Sequence, residues 1–146
     1  MVEKYFVDTN ILIYAHDRSP SRDRAAAIKH DRARQLVEGL WTNGQGVLST
    51  QVLQELCINL RRKVARPLPV EEIRELIHDY LSWEIMVNTP QAVIQALEIE
   101  VRYKTSFWDA LIFQAAEQSG AAVLYSEDLA AKQHYGAVQV VNPLID

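Results

Sequence analysis

Tyr5-Phe6-Val7-Asp8-Thr9-Asn10-Ile11-Leu12-Ile13-Tyr14-Ala15 joins two apolar runs across the polar trio Asp8-Thr9-Asn10. The first run, Tyr5 to Val7, is short and partly β-branched, as a buried strand should be, and Ile11 to Ala15 reads as a helix. Outward from there, Asp17 to Pro20 reads as a loop and Ser21 to Gly39 as a polar, Ala- and Arg-rich helix closed by Gly39. Gly44 and Gly46 mark a turn before a second strand at Val47-Leu48. Ser49 or Thr50 then caps a helix running to about Ala65, which Pro67 and Pro69 end. Val70 to Ser82 predicts a helix and Ile85 to Val87 a third strand. Thr89-Pro90 has the form of a helix start, a capping residue followed by proline at the first helical position. That helix runs to about Tyr103, and Ser106 caps another that ends at Ser119-Gly120. Ala122 to Tyr125 and Val138 to Val141 supply the last two strands, with Ser126-Glu127-Asp128 as a polar turn between them. Five strands separated largely by helical crossovers imply an α/β fold with a mostly parallel sheet covered on both faces. Ligands of such sheets bind beyond the carboxyl ends of the strands, where the strand order switches. Asp8 and Asp128 follow the first and fourth strands directly.

Composition narrows the classes this chain can belong to. Its 146 residues fit one domain, 1–146, and at that size folding buries roughly two-thirds of the unfolded chain's surface. Hydrophobic residues at 49% and charged residues at 23% predict a globular chain rather than a disordered one. A single cysteine, Cys57, excludes an intramolecular disulfide, and its neighbours Leu56 and Ile58 predict that it packs as a small hydrophobe. No apolar run approaches the roughly 20 residues of a bilayer span, so no membrane partner is expected. Met1-Val2-Glu3-Lys4, with Asp8 close behind, leaves no space for a signal-peptide core, and a cytoplasmic location is the expectation. The net charge of −4 does not attract nucleic acid, so any such contact must come from local basic clusters or from metal ions at an acidic site.

Four acids carry the functional signal, each with a plainer alternative. Asp8 between strand and helix is equally a helix cap or a site residue. Asp109 shares a helix face with Ile112, Phe113 and Ala116, whereas Gln114 and Glu117 mark a more polar face. An inward carboxylate costs desolvation energy unless a cation accompanies it. Ser106-Phe107-Trp108-Asp109 also fits a capping box, and the two roles are compatible. Glu55, at the border of the Val52, Leu56, Leu60 stripe, taken alone is an ordinary surface residue. Asp128 is equally a turn acid, and Glu127 could stand in for it. Carboxylates that converge without Lys or Arg need a hard divalent cation such as Mg²⁺ or Mn²⁺ in order to coexist. Such an ion activates water and stabilises the charge that develops on a phosphodiester. His16, His30, His78 and His134 are scattered and unpaired in the sequence and offer no zinc site.

At these acids the sequence resembles the PIN-domain family. Phe6-Val7-Asp8-Thr9-Asn10-Ile11-Leu12-Ile13-Tyr14-Ala15 is similar to its first motif and Gln54-Glu55-Leu56 to its second. Phe107-Trp108-Asp109-Ala110-Leu111-Ile112 resembles the third, Leu124-Tyr125-Ser126-Glu127-Asp128-Leu129 the fourth, and Val140-Val141-Asn142-Pro143 the usual close. The match spans nearly the whole chain, with the acids in the right order and spacing. The resemblance implies a three-layer α/β/α sandwich and Mg²⁺- or Mn²⁺-dependent cleavage of RNA. Carried over by position, Asp8, Glu55, Asp109 and Asp128 would form the metal site, with Thr9, Asn10 and Ser126 orienting carboxylates or water. The small layout is similar to VapC- and FitB-type toxins, which implies a homodimer and a cognate antitoxin protein that inserts a segment into the acidic groove.

Basic residues give less. Arg61-Arg62-Lys63 with Arg66 is the most basic stretch, and Arg22, Arg24, Lys29, Arg32 and Arg34 stud the second helix. Phosphate contact is one use for them, but solvated helix faces and favourable charge at a helix C-terminus account for them more simply. Two rival functions remain. A phosphoacceptor also carries an Asp after its first strand, but position 10 is Asn where the dehalogenase pattern wants Asp, and Phe6-Val7-Asp8 lacks a receiver's acidic pair. A non-catalytic PIN-like module that binds RNA or protein is the other, and the presence of all four acids argues against it.

Overall fold

The computed structural model describes residues 2–19, 23–129 and 134–145. The opening motif folds as its pattern predicts. Tyr5–Val7 is strand β1, and Thr9–His16 is helix α1, capped by the Asp8 side chain, which accepts from the Thr9 amide. Helix α2, Arg24–Asn43, is capped by Asp23 and leads to β2, Gly46–Ser49. Ser49 caps α3, Thr50–Arg62, and α4 spans Val70–Tyr80. Then come β3, Glu84–Met86, α5, Pro90–Tyr103, capped by Thr89, and α6, Phe107–Ser119, capped by Ser106. Strands β4, Val123–Tyr125, β5, His134–Tyr135, and β6, Val138–Val141, complete the order.

The sheet has six strands in the order β3-β2-β1-β4-β6-β5, five of them parallel, rather than the five expected. The additional strand, β5, is two residues long and antiparallel to β6, too short for a periodic signal. Its visible trace is Gly136, whose φ of 62° makes a two-residue hairpin turn between the paired Tyr135 and Val138. The second helix is also longer than expected. Gly39 lies inside α2, and the helix ends at Gly44, which takes the left-handed conformation that a terminating residue needs. The expected start of that helix at Ser21, and Arg22, fall outside the described residues.

Helices on both faces of the sheet make the three-layer α/β/α arrangement. The strands are therefore apolar throughout: Phe6, Val7, Val47, Leu48, Leu124 and Val140 are essentially inaccessible to water. Ile11 and Leu12 of α1, Val52, Leu56 and Leu60 of α3, and Phe113 and Ala116 of α6 close over them. Gly46 is fixed by packing, since a Cβ there would collide with the Trp83 indole. Cys57 packs against this core, as its apolar neighbours predict. Helix α6 departs from expectation: it is buried continuously from Ala110 to Ala116, and Gln114 is not on a polar face but inside, hydrogen-bonded to Gln95 at 2.9 Å. Glu117 is exposed as its expected polar face requires, but Gln114 lies where α5 covers the helix. No helix among the described residues is long and apolar enough to cross a membrane.

Candidate active site

From β1 the chain winds outward to β2 and β3, then returns across the sheet to β4 on the other side of β1. The switch in strand order therefore falls between β1 and β4, and a crevice opens at their carboxyl ends. Val7 is in register with Tyr125, so Asp8 and Ser126 are the first residues beyond the paired strands, and the Asp8 amide donates to the Tyr125 carbonyl at 2.9 Å. Asp8 is 9% exposed. One carboxylate oxygen accepts from the Thr9 amide and the other from Ser126 Oγ, both at 2.8 Å. The cap and site readings of Asp8 thus merge: the residue that starts α1 also faces the crevice.

Around it the structure assembles a pocket of about 220 Å³ lined by Asp8, Glu55, Asp109 and Asp128, with no lysine or arginine among the described residues that line it. Glu55 comes from α3 and accepts from Thr9 Oγ1 at 2.7 Å. Asp109 comes from the first turn of α6, where its amide donates to Ser106 Oγ while its carboxylate accepts a long 3.5 Å bond from Thr105 Oγ1. Asp128 accepts from Asn10 Nδ2 at 3.0 Å, and Asn10 Oδ1 in turn takes the Glu127 amide at 3.2 Å. Thr9, Asn10 and Ser126 therefore each hold a carboxylate. Glu127 turns away, bound by Tyr14 Oη at 2.9 Å and by Lys29 Nζ at 2.7 Å. Between the two neighbouring acids, Asp128 lines the pocket and Glu127 fastens the loop to α1 and α2.

The electrostatics follow from burial and crowding. Burial pushes the Asp8 carboxyl up to about 6; the Ser126 and Thr9 hydrogen bonds pull it down, and the negative charges of Glu55 and Asp128 push it up further. All the acids offer hard oxygen donors, which suits Mg²⁺ or Mn²⁺ rather than zinc. The donor set fits such an ion chemically, although among the described residues no three acids stand close enough to form a ready-made cage.

Sequence reasoning missed several lining residues. Gln51 and Asn59 lie one turn before and one turn after Glu55, a spacing of four that could have found them. Trp108 precedes Asp109 and is 64% exposed. None of the described basic residues singled out in the sequence lines the pocket, and Lys29 is committed to Glu127. Two of the histidines are hydrogen-bonded: His16 Nε2 meets Tyr80 Oη at 2.5 Å and His30 Nδ1 the Tyr14 carbonyl at 2.6 Å. Both line a larger cavity of about 790 Å³ between α1, α2 and α4, remote from the four carboxylates.

A mostly parallel α/β sheet with a pocket at its switch point that four carboxylates line defines the class, an α/β fold with an acidic pocket. Residues 5–136 match the family profile of the PIN domain, and the chain belongs to that family. Solved structures share the fold at low identity. A toxin–antitoxin complex from Klebsiella pneumoniae superposes with a TM-score of 0.67 at 17% identity, covering 96% of this chain and 98% of that one. A sarcin–ricin-loop-cleaving VapC toxin of Mycobacterium tuberculosis gives 0.63 at 23%, covering 86% and 90%. A DNA-bound VapBC of Salmonella typhimurium gives 0.62 at 17%, covering 95% and 97%. No curated protein matches the chain by sequence.

Proposed function

We propose that this PIN domain is a divalent-metal-dependent RNA endonuclease, the toxin of a toxin–antitoxin pair. The observation that carries the reading is the convergence of Asp8, Glu55, Asp109 and Asp128 on one pocket with no cationic side chain among the described residues of its lining. Buried Asp8 beside two like charges is the least comfortable group in that pocket, and a cation is what relieves it. Asp8, Glu55, Asp109 and Asp128 would hold Mg²⁺ or Mn²⁺. The ion supplies an activated water and charge stabilisation at the scissile phosphodiester. Thr9, Ser126 and Asn10 keep Glu55, Asp8 and Asp128 turned inward by the hydrogen bonds already made. The fold shared with toxins solved in antitoxin complexes supports a cognate antitoxin, and an acidic pocket suits a positively charged segment inserted from it. The apolar face of α5, with Val93, Ile94, Leu97 and Val101 between 40% and 80% exposed, supports a homodimer. A cytoplasmic setting follows from the RNA substrate.

One observation favours a second reading. The acids are not preassembled into a cage, as would suit a non-catalytic module that binds RNA or protein. A mixed small-RNA pool incubated in Mg²⁺, in Mn²⁺ and in EDTA, with Asp109→Asn alongside, separates the two. Metal-dependent cleavage that vanishes in the variant is the expected result. Binding without turnover in any metal supports the module, and equal cleavage by both proteins removes the support for a nuclease.

A further inference from the structure

Among the exposed large hydrophobic side chains of the described residues, Trp108 alone lines the carboxylate pocket. A tryptophan 64% exposed contributes little to a core, and its nearest aromatic contact, the T-shaped pair with Phe107 at 5.4 Å, leaves the indole largely open. Its backbone is nevertheless fixed from inside. Gln51, 5% exposed, donates its side-chain Nε2 to the Trp108 carbonyl at 3.1 Å. That bond ties the first turn of α3 to the first turn of α6, one turn before Glu55 and one residue before Asp109. Because a carbonyl can only accept, the amide nitrogen must face Trp108, and Gln51 Oε1 is left buried with no partner. A buried acceptor without a donor is an unfavourable arrangement. It persists here where it holds the turn that carries Trp108 and Asp109.

We propose that Trp108 is the base-stacking platform of the site, against which an unpaired nucleobase of the RNA lies while the adjoining phosphate reaches the carboxylates. The proposal rests on the nuclease reading for the identity of the strand. Its physical basis is a conflict within the pocket: four carboxylates in the lining repel a polyanion, and among the described residues no lining side chain offers a cation to hold it. Stacking needs no charge, and every base has a π-face, so an aromatic ring holds a strand without neutralising the carboxylates. Trp108 and Asp109 line the same pocket, so a nucleotide stacked on the one presents its own phosphate or the next to the carboxylates.

The test measures binding apart from cleavage. The full-length protein is titrated with a mixed-sequence single-stranded 2′-O-methyl hexanucleotide in EDTA, read by tryptophan fluorescence and by anisotropy of a labelled strand. Trp108→Ala should raise Kd about tenfold or more, Trp108→Phe should retain most of the affinity, and the slope of log Kd against log salt should not change. An abasic residue at the stacked position should weaken the native protein as much as Trp108→Ala does and should not weaken that variant further. Unchanged affinity in Trp108→Ala, or a shallower salt slope, overturns the proposal. So does an altered oligomeric state of that variant in size-exclusion chromatography, which would make Trp108 an interface between copies. If stacking is seen but no RNA is cut in Mg²⁺ or Mn²⁺, the platform stands and the nuclease reading fails. If the native protein binds no strand, the platform fails, and cleavage in Mg²⁺ or Mn²⁺ decides the nuclease reading separately.

Discussion

Helix α1 holds an ionisable side chain away from water at each end, Asp8 at its N-terminus and His16 in its last turn. At both ends the helix dipole favours the charged form, by about 0.3–1 kcal/mol. At both ends burial overrules it. Asp8 is pushed up to about 6 and His16 down to about 4, each worth about 3 kcal/mol between protonation states. What differs is the company. His16 faces Arg34 and His30, both of which disfavour a second positive charge, and as a neutral ring it is complete with Tyr80 Oη. Asp8 faces Glu55 and Asp128 across a pocket with room for something else. A buried group satisfied in its neutral form is architecture. A buried acid crowded by other acids is unsatisfied in its charged form, which is what the proposed cation would relieve.

The largest expected effect follows from removing that acid. Asp8→Asn should lower metal-dependent RNA cleavage by about 10³-fold, equivalent to roughly 4 kcal/mol of barrier. The same variant should be more stable than the native protein at pH 7 in EDTA, because the neutral amide side chain can still accept from Thr9 and reach Ser126 without a charge to bury. A destabilised Asp8→Asn would erase the distinction between the two ends.

Next in size is the pH dependence, in which the two groups oppose one another. Below about 6 folded Asp8 binds a proton that the unfolded chain takes up only near 3.8, so its contribution is full at low pH and is lost as pH rises through 6. His16 binds a proton near 6.5 when unfolded but only near 4 when folded, so its contribution is lost as pH falls from 6.5 to 4. In native protein without metal the two slopes offset. Asp8→Asn should expose the histidine slope, giving urea-unfolding stability that rises by about 2 kcal/mol between pH 4.5 and 6.5 relative to the nearly flat native curve. Parallel curves would show that one of the two groups is not shifted.

Tyr80→Phe probes the other end. Loss of the hydroxyl that partners His16 should lower stability by about 1–3 kcal/mol, while cleavage per folded molecule stays unchanged; a loss of cleavage would mean that the two ends are coupled. The smallest effect is a control in the neighbouring helix. Gly39 is exposed within α2 and a Cβ there meets nothing, so Gly39→Ala should add about 0.5–1 kcal/mol at every pH. A pH-dependent gain would show that α2 senses the charges on α1.

Much of this was legible in the chain. Strand and helix patterning placed Asp8 at a strand end, and the spacing of Ser106 and Thr89 located two helix starts that the structure keeps. Other features were not. Strand β5 has two residues and exists by pairing with β6, Gly39 carries a stop signal that the helix overrides for another turn, and Gln114 is polar yet internal because Gln95 meets it there. Each depends on a partner distant in sequence, and periodicity reports only on neighbours along one element.

By itself the sequence determined the kind of fold, because apolar period, caps and turn residues act locally, while its resemblance to a family pointed to the four acids. It could not say whether Asp128 or Glu127 enters the pocket, since both follow β4 in one polar turn. Tertiary structure decided that, by giving Glu127 to Tyr14 and Lys29 and turning Asp128 toward Asn10. It also brought Glu55 and Asp109, 54 residues apart in the chain, to one pocket with Asp8, and left Trp108 open at its edge. The physical reason is that charge, burial and free space depend on every element around a residue, and these are set only when the sheet order brings the elements together.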